Sequence, residues 1–392
     1  MRINNLISFT YILFAAAIIA IGRIYDERLE LLGINFSVFI SGFFILLSCI
    51  MIISIRSIKL TSTRALFYMF LCIILFSPIL WGFYDFIDYG IEKYLNFAIL
   101  IIPLLLIILE KFSYNDINNF FNILIWFIVV LALVSFSIVQ ESNERLSVFG
   151  GGPIIFARWM LIGIFILFFT NKYKKRKLSW LLMCMFFVLS LAAGSKGPIL
   201  ALLMTFSIYF FLNFQKLIIK IFAIIIILFS FTQFIDNSFS DKLFRLGKTE
   251  RLITNDNTST NIRIQFIERS VELATCYPFG VGIGNWQAYC NKEKPYHLLK
   301  HEYPHNLVLE VLSELGFIGG ILFLLVLCKV LYFTYFRMVF YSFSKDSFYP
   351  LLFYLQLFLI FTALFSGDLN DSRLLFVILA MSLIHKPLIK TD

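Results

Sequence analysis

The sequence HEYPHNLVLEVLSELGFIGG occupies residues 301–320, and the rest of the chain is organised around it. Its first six residues are polar and include two of the chain's four histidines, whereas the residues that follow are apolar enough to enter a membrane. Pro304 suits the first position of a helix, so we expect a helix with His305 and Asn306 in its first turn. Polar side chains at the entrance of an apolar helix indicate a site of binding or chemistry.

Asn306, Glu310 and Glu314 follow one another at intervals of four residues, with Ser313 beside them. Residues at this spacing share one helix face, so they predict a single polar stripe on an otherwise apolar helix. His305 borders the stripe at the helix N-terminus, where the helix dipole disfavours an imidazolium. The sequence therefore predicts a neutral imidazole that can act as a general base; the alternative is a capping cluster with a solvated histidine.

The composition is that of a membrane protein. Hydrophobic residues make up 60% of the chain, charged residues make up 15%, and the mean hydropathy is +0.87. Soluble domains average about 45–50% apolar and about 25% charged residues. The net charge of +9 is interpreted as basic cytoplasmic loops that fix the topology, because no basic segment is interleaved with stacking aromatic residues outside the predicted spans. Nucleic acid is therefore not an expected partner.

About 20 apolar residues span a bilayer as a helix. Twelve stretches are predicted to do so, at Leu6–Gly22, Ile34–Ile55, Ala65–Tyr84, Tyr94–Leu109, Phe120–Val139, Ile154–Thr170, Leu178–Ala193, Gly197–Phe214, Leu217–Ile235, Leu307–Phe336, Phe348–Ser366 and Leu374–Ile389. With the N-terminus inside, Lys and Arg collect in the inner loops and acidic residues in the outer ones. Because this bias persists through all the spans, we expect both termini in the cytoplasm.

These observations predict an all-α, polytopic integral membrane protein with about twelve transmembrane helices and one large periplasmic loop. Transmembrane helices 1–9 are expected in residues 1–235, the periplasmic loop with short helices in residues 236–305, and transmembrane helices 10–12 in residues 306–392.

The predicted loop contains one helix and one turn region. The pair Thr260-Asn261 can cap a helix over Ile262–Thr275. The alternating glycines of Pro278–Trp286 are interpreted as a tight turn region, because no strand precedes them as a dinucleotide-binding motif requires. Cys276 and Cys290 could form a disulfide if that side is oxidising, or remain thiols. No spacing of Cys and His predicts a metal site.

Five of the cationic residues on the predicted outer side are candidates for a binding site: Arg145, Arg158, Lys196, Arg263 and Arg373. A single such residue would ordinarily extend its charge to the lipid headgroups. Five on one side predict an outward-facing site for a polyanion, with phosphate as the expected group.

At Tyr303-Pro304-His305-Asn306-x3-Glu310-x3-Glu314-Leu315-Gly316-x2-Gly319 the chain resembles the bacterial O-antigen polymerase and ligase superfamily. Weaker matches follow the family's order and extend the resemblance over roughly residues 145–320; they are Arg145 to Arg158, Gly194-Ser195-Lys196-Gly197, and Arg263 to Asn285. The family commonly has Arg where this chain has Lys196, which can neutralise a phosphate but lacks the bidentate fork.

The resemblance implies a GT-C-like integral glycosyltransferase in the bacterial inner membrane, with its active site facing the periplasm. Its donor would be an oligosaccharide on undecaprenyl pyrophosphate. His305 would activate or orient the acceptor hydroxyl, and Arg145, Arg158, Lys196 and Arg263 would bind the diphosphate. Fixed cations would do the work that a divalent ion does elsewhere, so no metal and no cofactor is expected.

Asn306, Glu310 and Arg373 complete the candidate substrate-binding residues. Membrane lipid, a chain-length regulator and a flippase are the further candidate partners. The form of the motif favours a polymerase of O-antigen, capsule or exopolysaccharide repeat units, which transfers the glycan to another lipid-linked unit. The alternatives are a ligase that transfers it to lipid A-core, and a flippase or transporter of a lipid-linked glycan. A transporter would more often show related halves and charged helices at the membrane midplane.

Overall fold

The computed structural model describes residues 2–26, 29–31, 34–81, 87–139, 146, 152–170, 173, 176–222, 224–226, 258–290, 303–341, 347–385 and 387–389. These residues are helical apart from connecting segments, one isolated bridge between Ser347 and Ile389, and one small antiparallel hairpin, in which β1 (Glu30–Leu31) pairs with β2 (Ile34–Asn35). The predicted all-helical, polytopic architecture is confirmed for this part of the chain.

The helices in chain order are α1 (Arg2–Ile21), α2 (Phe36–Ile53), α3 (Ser62–Trp81), α4 (Ile87–Leu95), α5 (Ile102–Lys111), α6 (Tyr114–Val139), α7 (Gly152–Phe169), α8 (Lys177–Ala192), α9 (Lys196–Asn213), α10 (Thr258–Cys276), α11 (Trp286–Cys290), α12 (Leu307–Phe340), α13 (Tyr349–Ser366) and α14 (Arg373–Ser382). A π-helical segment, Asn96–Ile101, joins α4 to α5.

Within the described ranges, eight helical stretches are long and apolar enough to cross a membrane, and four shorter apolar helices accompany them. The eight are Phe36–Ile53, Ser62–Trp81, Gly90–Lys111, Tyr114–Phe136, Gly152–Phe169, Lys196–Asn213, Leu307–Phe340 and Tyr349–Ser366; the shorter ones are Leu6–Ile21, Lys177–Ala192, Leu217–Ile226 and Arg373–Ser382. Each of these helices coincides with a predicted span. The protein is a multi-pass membrane protein, whereas twelve crossings and a periplasmic loop remain predictions.

Aromatic side chains fill the contact between α3, α12 and α14. The ring centroids of Phe70 and Phe323 lie 5.1 Å apart, those of Phe323 and Phe376 lie 6.0 Å apart, and all three rings are fully buried. The outer surface of the bundle also carries large apolar side chains, such as Ile53 (84% exposed) and Ile79 (79% exposed). Apolar residues on both the inside and the outside are typical of a helix bundle surrounded by lipid.

The helix ends fall into two groups. At one end Arg64, at the start of α3, donates to the carbonyl of Leu383, which follows α14 (2.8 Å). At the other end the N–H of Ile24, which follows α1, donates to Asn96 at the start of the π-helical segment (2.9 Å). These contacts fit the alternating helix directions predicted from the loop charges. We call the first end of the bundle the Arg64 end. We call the other the His305 end, because α12 begins there, directly after His305 and Asn306.

The long helix α12 is broken at Gly316, where φ is 70° and ψ is −173°. This conformation is essentially restricted to glycine. Residues 278–284, which we call the glycine turn, pack into the break. The glycine turn has positive φ at Gly280 (90°), Gly282 (94°) and Gly284 (77°), so the turn region predicted over Pro278–Trp286 is confirmed.

Three backbone hydrogen bonds join the glycine turn to the break: Val281 N–H to the Ser313 carbonyl (3.0 Å), Gly282 N–H to the Glu314 carbonyl (2.8 Å), and Phe317 N–H to the Pro278 carbonyl (2.9 Å). They satisfy backbone groups that lose their helical partners at the break. The glycine turn therefore forms part of the frame that holds the first two turns of α12.

The helix predicted over Ile262–Thr275 is observed as α10. It begins at Thr258, so the predicted cap at Thr260-Asn261 is wrong and these residues lie inside the helix. Cys276 is exposed at the end of α10. The side chain of Cys290 lies outside the described part of the structure, so the possible disulfide is untested.

Candidate functional site

His305 lies just before α12 in an unusual backbone conformation. Its φ is 56°, and no other non-glycine residue in the described ranges has a positive φ. The helix begins at Leu307, so the prediction that Pro304 occupies its first position, with His305 and Asn306 in the first turn, is wrong. The half-buried imidazole packs against the rings of Tyr303 (centroids 4.2 Å apart) and Phe266 of α10 (6.2 Å). The chain therefore changes direction at His305, the candidate base, just before it enters α12.

Asn306 is the N-cap of α12, which explains where the helix begins. Its side-chain oxygen accepts hydrogen bonds from the N–H groups of Val308 and Leu309, both at 3.1 Å. Its amide nitrogen donates to the carbonyl of Leu364 near the end of α13 (3.1 Å). Asparagine is among the preferred N-cap residues because it satisfies backbone donors that a helix start leaves unpaired. The side chain that precedes α12 therefore also ties it to α13.

Of the predicted polar stripe, Glu310 and Glu314 share one helix face and meet a buried lysine, whereas Asn306 lies outside the helix as its N-cap. Lys93 of α4 forms ion pairs with Glu310 and with Glu314, the latter at 2.7 Å. All three side chains are at most 4% exposed. The second carboxylate oxygen of Glu310 accepts the N–H of Leu369 in the loop between α13 and α14 (3.0 Å). Lys93 was not predicted from the sequence. The signal for it is the pair of carboxylates on one apolar helix face, which requires a cation from another helix, and Lys93 directly precedes the predicted span Tyr94–Leu109.

Arg158 and Arg373 line one cavity between α1, α7, α13 and α14. Arg158 donates to the backbone carbonyls of Ser366 (2.7 Å) and Asp371 (3.2 Å), which fixes α7 against the α13–α14 loop. Its Nε atom is buried and has no hydrogen-bond partner among the described residues. The hydroxyl of Ser372, which also lines the cavity, is in the same situation. A buried donor of this kind favours a polar or anionic occupant.

The guanidinium of Arg373 is bound to backbone carbonyls. It donates to Asn370 (2.9 Å) and, from the other side, to Ile19 and Ala20 at the end of α1 (3.1 Å to Ala20). Arg373 is 8% exposed. Its charge contributes to the potential of the cavity, while its hydrogen bonds join α1 to α14.

Tyr303 contacts His305 and lies close enough to Asp368, Asp371 and Arg158 for their charges to act on its phenol. Burial raises the pKa of its phenol well above the usual value, and the carboxylates of Asp368 and Asp371 raise it further, whereas Arg158 opposes them. Tyr303 therefore stays protonated at neutral pH and can donate a hydrogen bond. Burial and the neighbouring Asp371 also raise the pKa of Asp368, to about 6.

The remaining predicted residues differ in what the structure describes of them. Lys196 begins α9 and is half-buried; a Cβ atom added to the next residue, Gly197, would lie 3.5 Å from the Cβ of Phe365 at the end of α13. Arg263 lies in α10, but its side chain is outside the described part, and so is the whole of Arg145. The described structure thus gathers His305, Asn306, Glu310, Arg158 and Arg373 at one end of the bundle, with Lys196 on a neighbouring helix start. In the described part of the chain, no group of three or more His, Cys, Asp or Glu residues is arranged to hold a metal ion.

Residues 180–324 match the protein-family model described as O-antigen ligase. This match confirms the resemblance to the O-antigen polymerase and ligase superfamily that the Tyr303–Asn306 motif predicts. It includes Lys196, Arg263 and His305, whereas Arg145, Arg158 and Arg373 lie outside it. No curated protein matches the chain significantly.

Proposed function

We propose that the protein is a membrane glycosyltransferase that polymerises O-antigen, capsule or exopolysaccharide repeat units. The donor would be a glycan linked to undecaprenyl pyrophosphate, and the acceptor would be a hydroxyl of another lipid-linked unit. The family match supports the class of reaction. The observation that carries the proposal is the position of His305 in a left-handed turn just before the N-cap of α12, in ring contact with Tyr303, whose phenol is near enough to Arg158 for the guanidinium charge to act on it.

In the proposed reaction His305 accepts the proton of the acceptor hydroxyl. The hydroxyl oxygen forms a bond to the anomeric carbon, and the bond from that carbon to the diphosphate oxygen breaks. The electron pair of the broken bond leaves with the lipid diphosphate. The helix dipole at the start of α12 favours a neutral imidazole before the reaction, which is the form that a general base requires.

The diphosphate leaving group accounts for the cations. Arg158 is the best supported of them, because it lines the cavity and its buried Nε has no protein partner in the described ranges. Arg145, Lys196 and Arg263 complete the proposed diphosphate site, and Arg373 adds charge from within α14. Fixed cations in a site with little water stabilise developing negative charge without reorganising during the reaction.

Asn306 and Glu310 are proposed to position the site without contacting the substrate through free polar atoms. Every polar atom of the Asn306 side chain is within hydrogen-bond distance of α12 or α13, and both carboxylate oxygens of Glu310 are bound to protein groups. Their proposed contribution is therefore to hold the reacting groups in place.

The His305 end is proposed to face the periplasm, with both termini in the cytoplasm of a bacterial inner membrane. A phosphatase reporter fused after Asn255 should be active, and a cytoplasmic reporter at the same position should be silent. The opposite pair of results would overturn the orientation and the periplasmic site with it.

A ligase is the second candidate, because the matching family model is described as O-antigen ligase. The two activities differ only in the acceptor. In a deletion strain, loss of a polymerase leaves a single repeat unit on the lipopolysaccharide core. Loss of a ligase leaves no unit on the core and lets lipid-linked polymer accumulate.

The proposal is tested by His305→Ala in the complemented deletion strain. His385 provides a matched control, because it is an exposed histidine just beyond α14, at the Arg64 end. General base catalysis contributes about 100- to 10,000-fold, so His305→Ala should lose long-chain polysaccharide by at least that lower factor per inserted copy. His385→Ala should keep a normal ladder. A normal ladder from His305→Ala would remove the histidine from the mechanism.

A further inference from the structure

Lys93 is buried where a lysine is costly. Its side chain is 2% exposed, and its Nζ lies between the carboxylates of Glu310 and Glu314, which are 1% and 4% exposed. Burying one cation with two anions costs desolvation that apolar packing of similar volume would avoid. Such a group therefore contributes little net stability relative to apolar side chains. The Lys93–Glu310–Glu314 group instead fixes the relative position of α4 and α12.

The ion pairs of Lys93 hold only the part of α12 that precedes the break at Gly316. Glu310 and Glu314 both precede the break at Gly316, so Lys93 holds the short segment that begins at the Asn306 cap and not the long helix beyond the break. Through Glu310 the same contact reaches the N–H of Leu369 in the α13–α14 loop. That loop carries Asp371, whose carbonyl accepts a hydrogen bond from Arg158.

The short helix α4 also meets the glycine turn. A Cβ atom on Gly284 would lie 2.5 Å from the Cα of Gly90, so the two backbones are in direct contact. Gly90 lies on α4 one turn before Lys93. The helix that carries Lys93 therefore packs directly against the glycine turn, which supports the start of α12.

We infer that Lys93 is a positioning residue of the glycosyl transfer, acting through Glu310 and Glu314 on His305 and through Leu369 on Arg158. This role rests on the proposed function of His305. Lys93 itself is buried behind the site and needs no contact with substrate. A displacement of about 1 Å at a reacting group can cost about 100-fold in rate, so the loss of this anchor should be visible as activity.

Three variants separate positioning from stability. Lys93→Met removes the charge at similar length and leaves two buried carboxylates unpaired, so both thermal stability and polysaccharide yield should fall, the yield by about 100-fold. The triple variant Lys93→Met, Glu310→Gln, Glu314→Gln has no buried charge in this group. It should recover the thermal midpoint while its yield stays at least about tenfold low, because the charge-held geometry is still absent. Lys93→Arg keeps the charge and should keep most of the yield.

Arg64→Met is the matched control. It breaks a buried ion pair, that with Glu110 (3.1 Å; 1% and 6% exposed), at the opposite end of the bundle. Yield is measured as long-chain polysaccharide per membrane-inserted copy in the complemented deletion strain, and thermal midpoints are measured on the purified full-length protein. Arg64→Met should lower the midpoint much as Lys93→Met does, with a far smaller loss of yield.

Either of two results would overturn the inference: recovery of yield together with stability in the triple variant, or equal losses of yield in Lys93→Met and Arg64→Met. Failure of the proposed function is recognised separately, by a normal ladder from His305→Ala. A dead His305→Ala together with an active triple variant would refute only the role of Lys93.

Discussion

Gly316→Ala tests the interlock between the glycine turn and the broken helix. A Cβ atom at Gly316 would lie 2.3 Å from the carbonyl carbon of Phe279 and 2.5 Å from the carbonyl oxygen of Pro278. Both are backbone atoms, so no side-chain rotation relieves the contact. The alanine must also adopt a conformation that is essentially restricted to glycine. The substitution is therefore expected to expel the glycine turn from the break.

The expected magnitude follows from these contacts. The backbone conformation alone costs about 1–3 kcal/mol for a residue other than glycine. Expulsion of the turn also breaks the three hydrogen bonds that join it to α12, and each contributes about 0.5–1.5 kcal/mol net. The total loss is about 2.5–7.5 kcal/mol, a large fraction of the stability of an ordinary domain. Because the start of α12 would lose its support, long-chain polysaccharide should disappear as well.

Thermal unfolding of the purified protein is monitored as loss of the monodisperse peak on size-exclusion chromatography. The polysaccharide ladder is measured separately in cells. Two other glycines provide matched controls. Gly194 has a φ of 62° with no atom within 4 Å of an added Cβ, so Gly194→Ala carries backbone strain without a clash. Gly42 lies within α2 and is also open, so Gly42→Ala should be neutral or stabilising. If Gly316→Ala is no less stable than Gly194→Ala, the interlock is not what holds α12.

Substitutions at two further positions, Asp368 and Asn306, probe the same end of the bundle. Burial and Asp371 raise the pKa of Asp368 from 3.8 to about 6, so the folded protein binds this proton more tightly than the unfolded chain does. The resulting stabilisation is fully present below about pH 4 and is lost as the pH rises through about 6. The thermal midpoint should therefore fall between pH 5 and pH 8, and Asp368→Asn should reduce that fall; an equal fall in the variant would contradict this assignment. Asn306→Ala should cost about 0.5–2 kcal/mol through loss of the cap, whereas Asn306→Asp should keep the cap and lose only the bond to the Leu364 carbonyl. Equal thermal midpoints for these two variants would show that the cap is not what stabilises α12.

The helical bundle could be predicted from the sequence because each span carries its own signal. Long apolar stretches and charged loops are local properties of the chain, and each predicted span overlaps an apolar helix within the described residues. The beginning of α12 was predicted less well, because two local rules compete there. Pro304 suits a first helical position, while Asn306 is a preferred N-cap, and the structure follows Asn306.

The anchors of the site were not predictable in the same way, because they join distant parts of the chain. Lys93 and Glu310 are 217 residues apart, and neither reveals its partner without the fold. The break at Gly316 is hidden in a stretch whose composition is that of one continuous helix. The glycine turn that fills the break lies 32 to 38 residues before Gly316. It could be recognised as a turn, but the helix that it packs against could not.

The nature of these anchors follows from the surroundings of the bundle. Between helices in lipid, apolar contacts distinguish poorly between alternative arrangements, because lipid tails are as apolar as leucine. The segment that begins α12 is instead fixed by directional contacts: the Asn306 cap, the carboxylates on Lys93 and the backbone bonds to the glycine turn. Hydrogen bonds and ion pairs have narrow optimal geometries, so they define a position where apolar packing would tolerate several. The proposed site, in which a base and a diphosphate would meet, requires such definition, and variants of these anchors should therefore lower activity more than their effect on stability accounts for.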